Sequence, residues 1–205
     1  MVSGPSTVLL QTFQSELAGS STRSAKASAA HHWCVVRHTE QDLIGLQELL
    51  DRSAASAGSF LRQTFELPGH SLTAHQLTRY FEERMRAVAI ATVTLKGEPR
   101  VSPVGAVFHR TKFHIPTAEY SMRIRHLRKR PAISLTHFEP NVIAVIVHGR
   151  AEIISPGVPE FEELEISEQE KWWHALRDKG QGVYLRIEPE RMFAWAEDPG
   201  HFFGV

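Results

Sequence analysis

The sequence predicts a mainly β protein with helical inserts, in which a closed or nearly closed β-barrel follows an N-terminal helical segment. Seven short extended runs, each bounded by Pro, Gly or Asn, follow one another from Val88 onward. Two stretches with helical caps and helical spacing precede these runs, and two more interrupt them. So many short strands in one chain indicate a barrel.

Composition sets the outer limits of function. A chain of 205 residues with 42% hydrophobic content can bury one substantial core and a small subdomain. Lys plus Arg (23) equals Asp plus Glu (23), so the overall charge favours neither nucleic acid nor an anionic membrane as a partner. The longest apolar run is too short to span a bilayer. The single cysteine excludes an internal disulfide framework and favours a reducing, cytoplasmic setting.

Residues 1–38 differ in composition from the rest, because Ser, Ala and Thr dominate and Glu16 is the only acidic residue. We expect poor order there, or an upstream extension read as coding sequence. A transit peptide is the alternative that scattered Arg and Lys residues suggest. The cluster of His31, His32 and Cys34 has ligand types that suit zinc or copper, but no second ligand cluster accompanies it, so no metal site is predicted.

Two helices are expected in residues 39–86, packed on a barrel formed by residues 87–205. Thr39 and Asp42 have capping-box spacing ahead of a helix from Glu40 to Ala57. After a Pro-Gly turn, Thr73 and Gln76 repeat that spacing ahead of a second helix that leads into the sheet.

The extended runs begin with a hairpin, because the Lys96-Gly97 turn joins the first two. The predicted strands are Val88–Leu95, Val101–Phe108, Lys112–Ile115, Ala132–His137, Val142–Ile154, Gly182–Glu188 and Met192–Ala196.

Two helical inserts interrupt the strands. The first is predicted at Met122–Arg130, where Ser121 is the N-cap and Pro131 stops the helix. Ile124 and Leu127 have the spacing to anchor it on the barrel. The second is an acidic segment from Pro159 that becomes helical at Ser167-x-x-Glu170.

The start of the first insert has the chemistry of a phosphate site, because the backbone N–H groups behind Ser121 lie near Arg123 and Arg125. The cations Arg128–Arg130 are interpreted as solvated residues that stabilise the end of the helix. A nucleic-acid-binding helix is a third interpretation, which the balanced charge and the lack of interleaved aromatic residues oppose.

Other reaction classes lack their motifs. There is no Gly-x-Ser-x-Gly elbow for a hydrolase and no Gly-x-Gly-x-x-Gly fingerprint for a Rossmann dehydrogenase. Twelve histidines make haem worth considering, although they are scattered over turns, strands and a helix: His109, His114, His137, His148, His174 and His201 among them.

Three stretches between about Leu77 and Trp195 carry a resemblance to a known family. They are Ala91-Thr92-Val93-Thr94-Leu95-Lys96-Gly97-Glu98-Pro99-Arg100-Val101-Ser102-Pro103-Val104, Pro116-Thr117-Ala118-Glu119-Tyr120-Ser121-Met122-Arg123-Ile124-Arg125-His126-Leu127 and Pro131. Their order and spacing resemble the pyridoxamine 5'-phosphate oxidase-like, FMN-binding split-barrel family, a part of the flavin/deazaflavin oxidoreductase superfamily. The preceding helices and the closing strand are similar to an actinobacterial-type subgroup.

The resemblance implies a split barrel that dimerises with itself and holds FMN, or the deazaflavin coenzyme, between subunits. Family members usually have Lys where Arg123 stands and Asn where His126 stands. An arginine retains the charge and adds a fork that suits phosphate oxygens. The cofactor-binding set that the resemblance implies is Arg100, Val101, Ser102, Pro103, Thr117, Ser121, Met122, Arg123, Arg125 and Trp195.

The implied function is a cofactor-dependent oxidoreductase that transfers hydride to or from a small conjugated substrate, with no catalytic side chain assigned. A true pyridoxamine-phosphate oxidase is not expected, because the chain ends differently from those enzymes, after Trp195. The alternative is a flavin- or haem-binding carrier or sensor without turnover. Of the adjacent Trp172 and Trp173, at most one is expected to pack inward.

Overall fold

A computed structural model of the chain describes residues 38–82, 85–165 and 171–203. The expectations for the N-terminal segment lie outside these residues: poor order or an upstream extension, the alternative of a transit peptide, and the metal site that was considered but not predicted at His31, His32 and Cys34. The cap predicted at Ser167-x-x-Glu170 lies outside them too.

Within the described residues, three helices precede the barrel: α1 at Glu40–Ala55, α2 at Ser59–Thr64 and α3 at Ala74–Glu82. The capping box that starts α1 is confirmed, because the Asp42 amide donates to Thr39 Oγ1 (3.1 Å) and the Thr39 amide donates to Asp42 Oδ2 (2.9 Å). The short α2 was not predicted, since it has no side-chain cap and is too short to show a period.

Six antiparallel strands form a closed barrel, in the order β1-β2-β3-β6-β5-β4. Helix α4 (Met122–Leu127) lies between β3 and β4, and a 3₁₀ helix (Pro199–Phe203) follows β6. The prediction of a barrel is confirmed. The strands are β1 at Arg86–Val93, β2 at Pro99–His109, β3 at Lys112–Ala118, β4 at Ala132–Glu139, β5 at Ile143–Ile154 and β6 at Gly182–Ala196.

The prediction of seven strands was wrong, because the last two runs form one strand, β6. The register slips opposite β5: His148 faces Arg191 while Gly149 faces Pro189, so Glu190 has no partner. Such a bulge lets a strand continue past a proline, which has no N–H for the ladder.

The two strands approach each other closely beside this bulge. A Cβ built on Gly149 would lie 2.0 Å from the backbone oxygen of Glu188 and 3.0 Å from the Cα of Pro189. Only a residue without a side chain fits there.

One core fills the barrel and extends under the preceding helices. Leu46 of α1 and Leu77 and Phe81 of α3 belong to the same buried cluster as the inward residues of the strands. Ile124 and Leu127 of α4 are also buried in it, which confirms that they anchor this helix. Burial of an apolar side chain of this size stabilises a fold by roughly 2 kcal/mol.

A second core lies on the outside of the barrel, under the insert between β5 and β6. This insert contains α5 (Pro159–Glu165) and α6 (Lys171–Arg177), and its core is Ile154, Phe161, Leu164, Trp173 and Tyr184. Trp173 is 0% exposed and Trp172 is 38% exposed, so the prediction that at most one of them packs inward is confirmed. Because Tyr184 and Leu185 belong to different cores, β6 is buried on both faces there.

Near its C-terminal end, β6 pairs with β5 along one backbone edge. The loop before α3 covers the other edge. The Leu72 amide donates to the Ala194 carbonyl (2.9 Å) and the Ala196 amide donates to the His70 carbonyl (3.0 Å). This pairing satisfies backbone groups that an edge strand would otherwise expose.

Helix α5 is held to the barrel by hydrogen bonds between its glutamates and the basic side chains of His114, His109 and Arg186. His114 Nε2 lies 2.7 Å from Glu160 Oε1, and His109 Nε2 lies 3.1 Å from Glu163 Oε2. Arg186 also bonds Glu160. The hydrogen bond from His114, followed by the charges of His114 and Arg186, lowers the pKa of Glu160 to about 2, against the opposing effect of burial.

This pKa predicts acid sensitivity of the insert. An unfolded glutamate titrates near 4.5, so the stabilisation by Glu160 is complete above about pH 4.5 and is lost as the pH falls toward about 2. Glu160→Gln should be less stable than wild type at about pH 6, and should lose less stability in acid. Urea midpoints over that pH range measure both effects.

The control is Glu48→Gln, since Glu48 makes only an exposed contact with Arg52 at 3.8 Å. This variant should follow the wild-type acid profile. An unchanged profile in Glu160→Gln would contradict the assignment.

Candidate functional site

The barrel is closed, but most of β2 extends beyond its short ladder with β3. The ladder between β2 and β3 has three pairs, from Val107 opposite His114 to His109 opposite Lys112. The ladder between β2 and β1 continues to Pro99. In the described part of the chain, residues 99–106 therefore have no β3 partner along one backbone edge. That edge can offer N–H and C=O groups to a ligand.

The four predicted site residues on β2 are divided between the two faces of the strand, because successive side chains alternate. Val101, which is 69% exposed, and Pro103 face outward. Ser102 faces the other way, opposite Ile90, and is half-buried. Arg100 is exposed and bonds Glu98 at 2.8 Å. A single ligand can therefore contact the side chains of only some of these four residues. It can contact the others only through their backbone groups.

The predicted phosphate loop connects β3 with α4. The cap is confirmed, since Ser121 Oγ accepts the Ile124 amide at 3.4 Å. Thr117 is 6% exposed, and its hydroxyl makes no hydrogen bond within the described residues. Met122 and Arg125 are exposed at the start of the helix, and His126 is half-buried.

Arg123 differs from the other cations of this segment. It is half-buried, and no carboxylate or carbonyl of the described residues bonds its guanidinium. Burial lowers the pKa of Arg123, because the charged form loses solvation. By contrast, Arg128 bonds Glu119 at 2.8 Å and Arg130 bonds the Leu95 carbonyl at 3.0 Å. A half-buried cation without an acidic partner favours the binding of an anion.

An uncovered surface of the barrel adjoins the open edge of β2. We call it the outer patch. Its residues share the outward face because they lie directly opposite one another, or two positions apart, on neighbouring strands. They are Ala87, Ala89, Ala91, Val101, Pro103, Ser134, Thr136, Phe138, Ala144 and Ile146.

Trp195 also faces outward but lies far from the other predicted site residues. Along the path through β1, β4 and β5, four strand spacings separate it from β2, which is about 19 Å along the sheet. In the other direction only β3 lies between β2 and β6, but β3 pairs with residues 107–109 of β2 and 182–186 of β6, which are far along their strands from Val101 and Trp195. Within its own chain it contacts Phe65 and stacks on His70, with ring centroids 5.9 and 6.2 Å away. One chain therefore does not bring Trp195 to Val101.

Sequence reasoning missed the outer patch, because no motif marks it. Its residues are small or apolar and come from four strands, and only the register brings them together. The alternation of outward residues in each strand is the one signal that could have indicated it.

The buried histidines considered for haem have protein partners. His109 and His114 contact glutamates, and His137 contacts the Tyr80 hydroxyl and the Ala87 carbonyl, both at 2.8 Å. Across residues 38–82, 85–165 and 171–203, no group of three or more His, Cys, Asp or Glu side chains could hold a metal ion. No helix in the same residues is long and apolar enough to cross a membrane.

Comparison with known proteins gives one family. The family model for pyridoxamine 5'-phosphate oxidase matches residues 74–196. A search of curated proteins found no match.

Solved structures are similar at low identity. A conserved hypothetical protein from Mycobacterium tuberculosis is 18% identical, covering 64% of this chain and 90% of its own, with a TM-score of 0.49. An F420 reductase is 17% identical (56% and 94% covered, TM-score 0.44). A haem-binding protein from Mycobacterium smegmatis is 16% identical (62% and 59% covered, TM-score 0.47). At such values these likenesses do not indicate what this chain binds.

Proposed function

This chain belongs to the pyridoxamine 5'-phosphate oxidase family, and on that premise we propose that it is an oxidoreductase whose cofactor is FMN, with the deazaflavin coenzyme as the alternative. A flavin or deazaflavin, when bound, supplies hydride transfer to or from a small conjugated substrate. We propose that the cofactor is bound by the residues that the family resemblance implies. These are Arg100, Val101, Ser102, Pro103, Thr117, Ser121, Met122, Arg123, Arg125 and Trp195.

Arg123 carries this proposal. It is a half-buried guanidinium without an acidic partner in the described residues, and it directly follows the first residue of a capped helix. Both candidate cofactors present a phosphate, which a guanidinium binds through paired hydrogen bonds. We assign the phosphate to Arg123 and Ser121, with Thr117, Met122 and Arg125 around it.

The open edge of β2 supports a position for the cofactor ring. Backbone groups of residues 100–103 would bond the polar edge of the ring system, and Ser102 would add a hydroxyl. The exposed Val101 and Pro103 would pack against its apolar part. These contacts bind and orient the cofactor, and we assign no acid or base residue.

A homodimer completes the proposed site. The outer patch leaves Val101 and Phe138 exposed, at 69% and 65%, and a second copy of the chain would cover them. The second copy would also supply a Trp195 that its own chain keeps far from β2. In this arrangement residues 39–86 form a helical cover and residues 87–205 the cofactor-binding barrel. The single cysteine supports a cytoplasmic location.

The test is a titration of the purified full chain with FMN, the deazaflavin coenzyme and haem, each added separately. Calorimetry gives the affinity, and native mass spectrometry gives the stoichiometry per dimer. Binding of FMN or the deazaflavin, followed by reduction of quinones, supports the oxidoreductase. Retention of FMN or haem without turnover supports a carrier or sensor instead, and binding of none of the three overturns the proposal.

A further inference from the structure

Three basic side chains lie together at one corner of the outer patch. His148 and Arg150 are two residues apart on β5 and both are exposed. Arg191 lies directly opposite His148 on β6. Residues that are directly opposed, or two apart in one strand, share a face of the sheet. All three side chains therefore project from the outer surface, and we call them the basic corner.

A hydrogen bond orients the histidine of the basic corner. His148 Nδ1 lies 2.8 Å from Ser134 Oγ on β4. A hydroxyl that donates to Nδ1 leaves the ring proton on Nε2, which is then a donor toward solvent. In that tautomer, the histidine adds a donor to those of the two guanidinium groups.

Within the described residues, the three side chains of the basic corner form no ion pair, and the acidic residues nearest to Arg150 on the same face, Glu188 and Glu152, are both bonded to other cations. The glutamate opposite Arg150 in the ladder, Glu188, bonds Lys112 at 2.7 Å. A convergent set of donors without a carboxylate suits a ligand that is itself an anion.

One row of residues connects the basic corner with the open strand. Val101, Ala91, Ser134, His148 and Arg191 lie directly opposite one another on β2, β1, β4, β5 and β6. Three strand spacings separate Val101 from His148, which is about 14 Å along the sheet. The residues between them, Ala91 and Ser134, have short side chains. No large side chain of the row therefore stands between Val101 and His148.

We propose that the basic corner binds the anionic group of the substrate, and that the substrate is a flat conjugated acid whose rings lie over Ala91 and Ser134, between this surface and the second copy of the chain. This inference rests on the proposed function, because a substrate in this position would react with a cofactor ring held at β2. The length of the row accommodates two or three fused rings between the cofactor strand and the corner.

The test compares 2-naphthoate with its neutral counterpart 2-naphthamide, by fluorescence titration of the FMN-loaded full chain. Wild type should bind naphthoate about tenfold more tightly, as one charge-assisted contact would provide. Arg191→Gln should abolish that preference, and Arg150→Gln should reduce it. Arg52→Gln removes the same charge from the exposed face of α1 and should leave the preference intact. Since the basic corner is exposed, added salt should also reduce the preference of wild type for naphthoate.

Two outcomes would overturn the proposal: a naphthoate preference that survives in both Arg191→Gln and Arg150→Gln, or a loss of FMN affinity in Arg191→Gln with the preference retained. The second would mean that the corner holds the cofactor phosphate. If wild type binds neither FMN nor the deazaflavin, the proposed function fails. The same titration on the cofactor-free chain then decides whether the anion site exists without it. Unfolding midpoints of the variants verify that they fold.

Discussion

Replacing Arg123 with glutamate should cost at least about 3 kcal/mol of FMN affinity, or roughly two orders of magnitude in Kd. The substitution removes a charge-assisted contact and puts a carboxylate beside the phosphate. Because Arg123 is half-buried, solvent screens this repulsion less than it would at an exposed site. Calorimetric titration of the full chain with FMN measures the loss.

The matched control is Lys129→Glu. Lys129 is exposed and lies just past the end of α4, so the same charge reversal occurs in the same segment but away from the cap. It should change the affinity by less than about 0.5 kcal/mol. If the two variants lose the same amount of FMN affinity, Arg123 acts only through the overall positive charge of the segment and does not contact the phosphate.

Gly149→Ala should destabilise the fold by about 3 kcal/mol or more, although it adds only one methyl group. The new Cβ would meet the Glu188 carbonyl at 2.0 Å, and that atom belongs to a buried strand backbone that cannot turn aside as a side chain would. β5 and β6 would have to separate at the bulge. Guanidinium unfolding followed by circular dichroism measures the change in unfolding free energy.

Gly45→Ala is the matched control for the same substitution. Gly45 lies inside α1, and a Cβ added to it would have no neighbouring atom within 4 Å. Alanine at this position should stabilise the protein by up to about 1 kcal/mol, because it favours the helix. The two substitutions are thus expected to change the unfolding free energy in opposite directions. A shift of the same sign and size in both would contradict the packing argument.

Local chemistry was predictable from the sequence because its causes lie within a few residues. The capping boxes at Thr39 and Thr73 and the cap at Ser121 depend on side chains three positions apart. The anchoring of α4 by Ile124 and Leu127 depends on helical spacing alone. The barrel itself followed from the number of short strands.

The predictions that were wrong concerned structure that depends on contacts between residues distant in sequence. Pro189 predicts the end of a strand when only its neighbours are considered, yet the bulge beside Gly149 lets β6 continue to Ala196. The insert was expected to become helical only at Ser167, but α5 begins at Pro159, where contacts of its glutamates with His114 and His109 hold it on the barrel.

The candidate site was predictable only in part for the same reason. Residues 117–125 are close in sequence, so the phosphate loop could be recognised as one unit. The outer patch joins residues from four strands and the basic corner joins residues from two, and nothing in the sequence gives the register of these strands. For Arg123, the sequence indicated its position near a cap but not the lack of an acidic partner in the described residues.

The two-sided burial of β6 has a consequence for the motions of the barrel. β6 pairs with β3 and β5 and lies between two cores, so its amides near Leu185 can exchange with solvent deuterium only in a large opening of the structure. The amides of residues 99–106 lie on a strand with one open edge and should exchange much sooner. Opening of this protein therefore starts at the strand where we place the cofactor, while β6 remains closed.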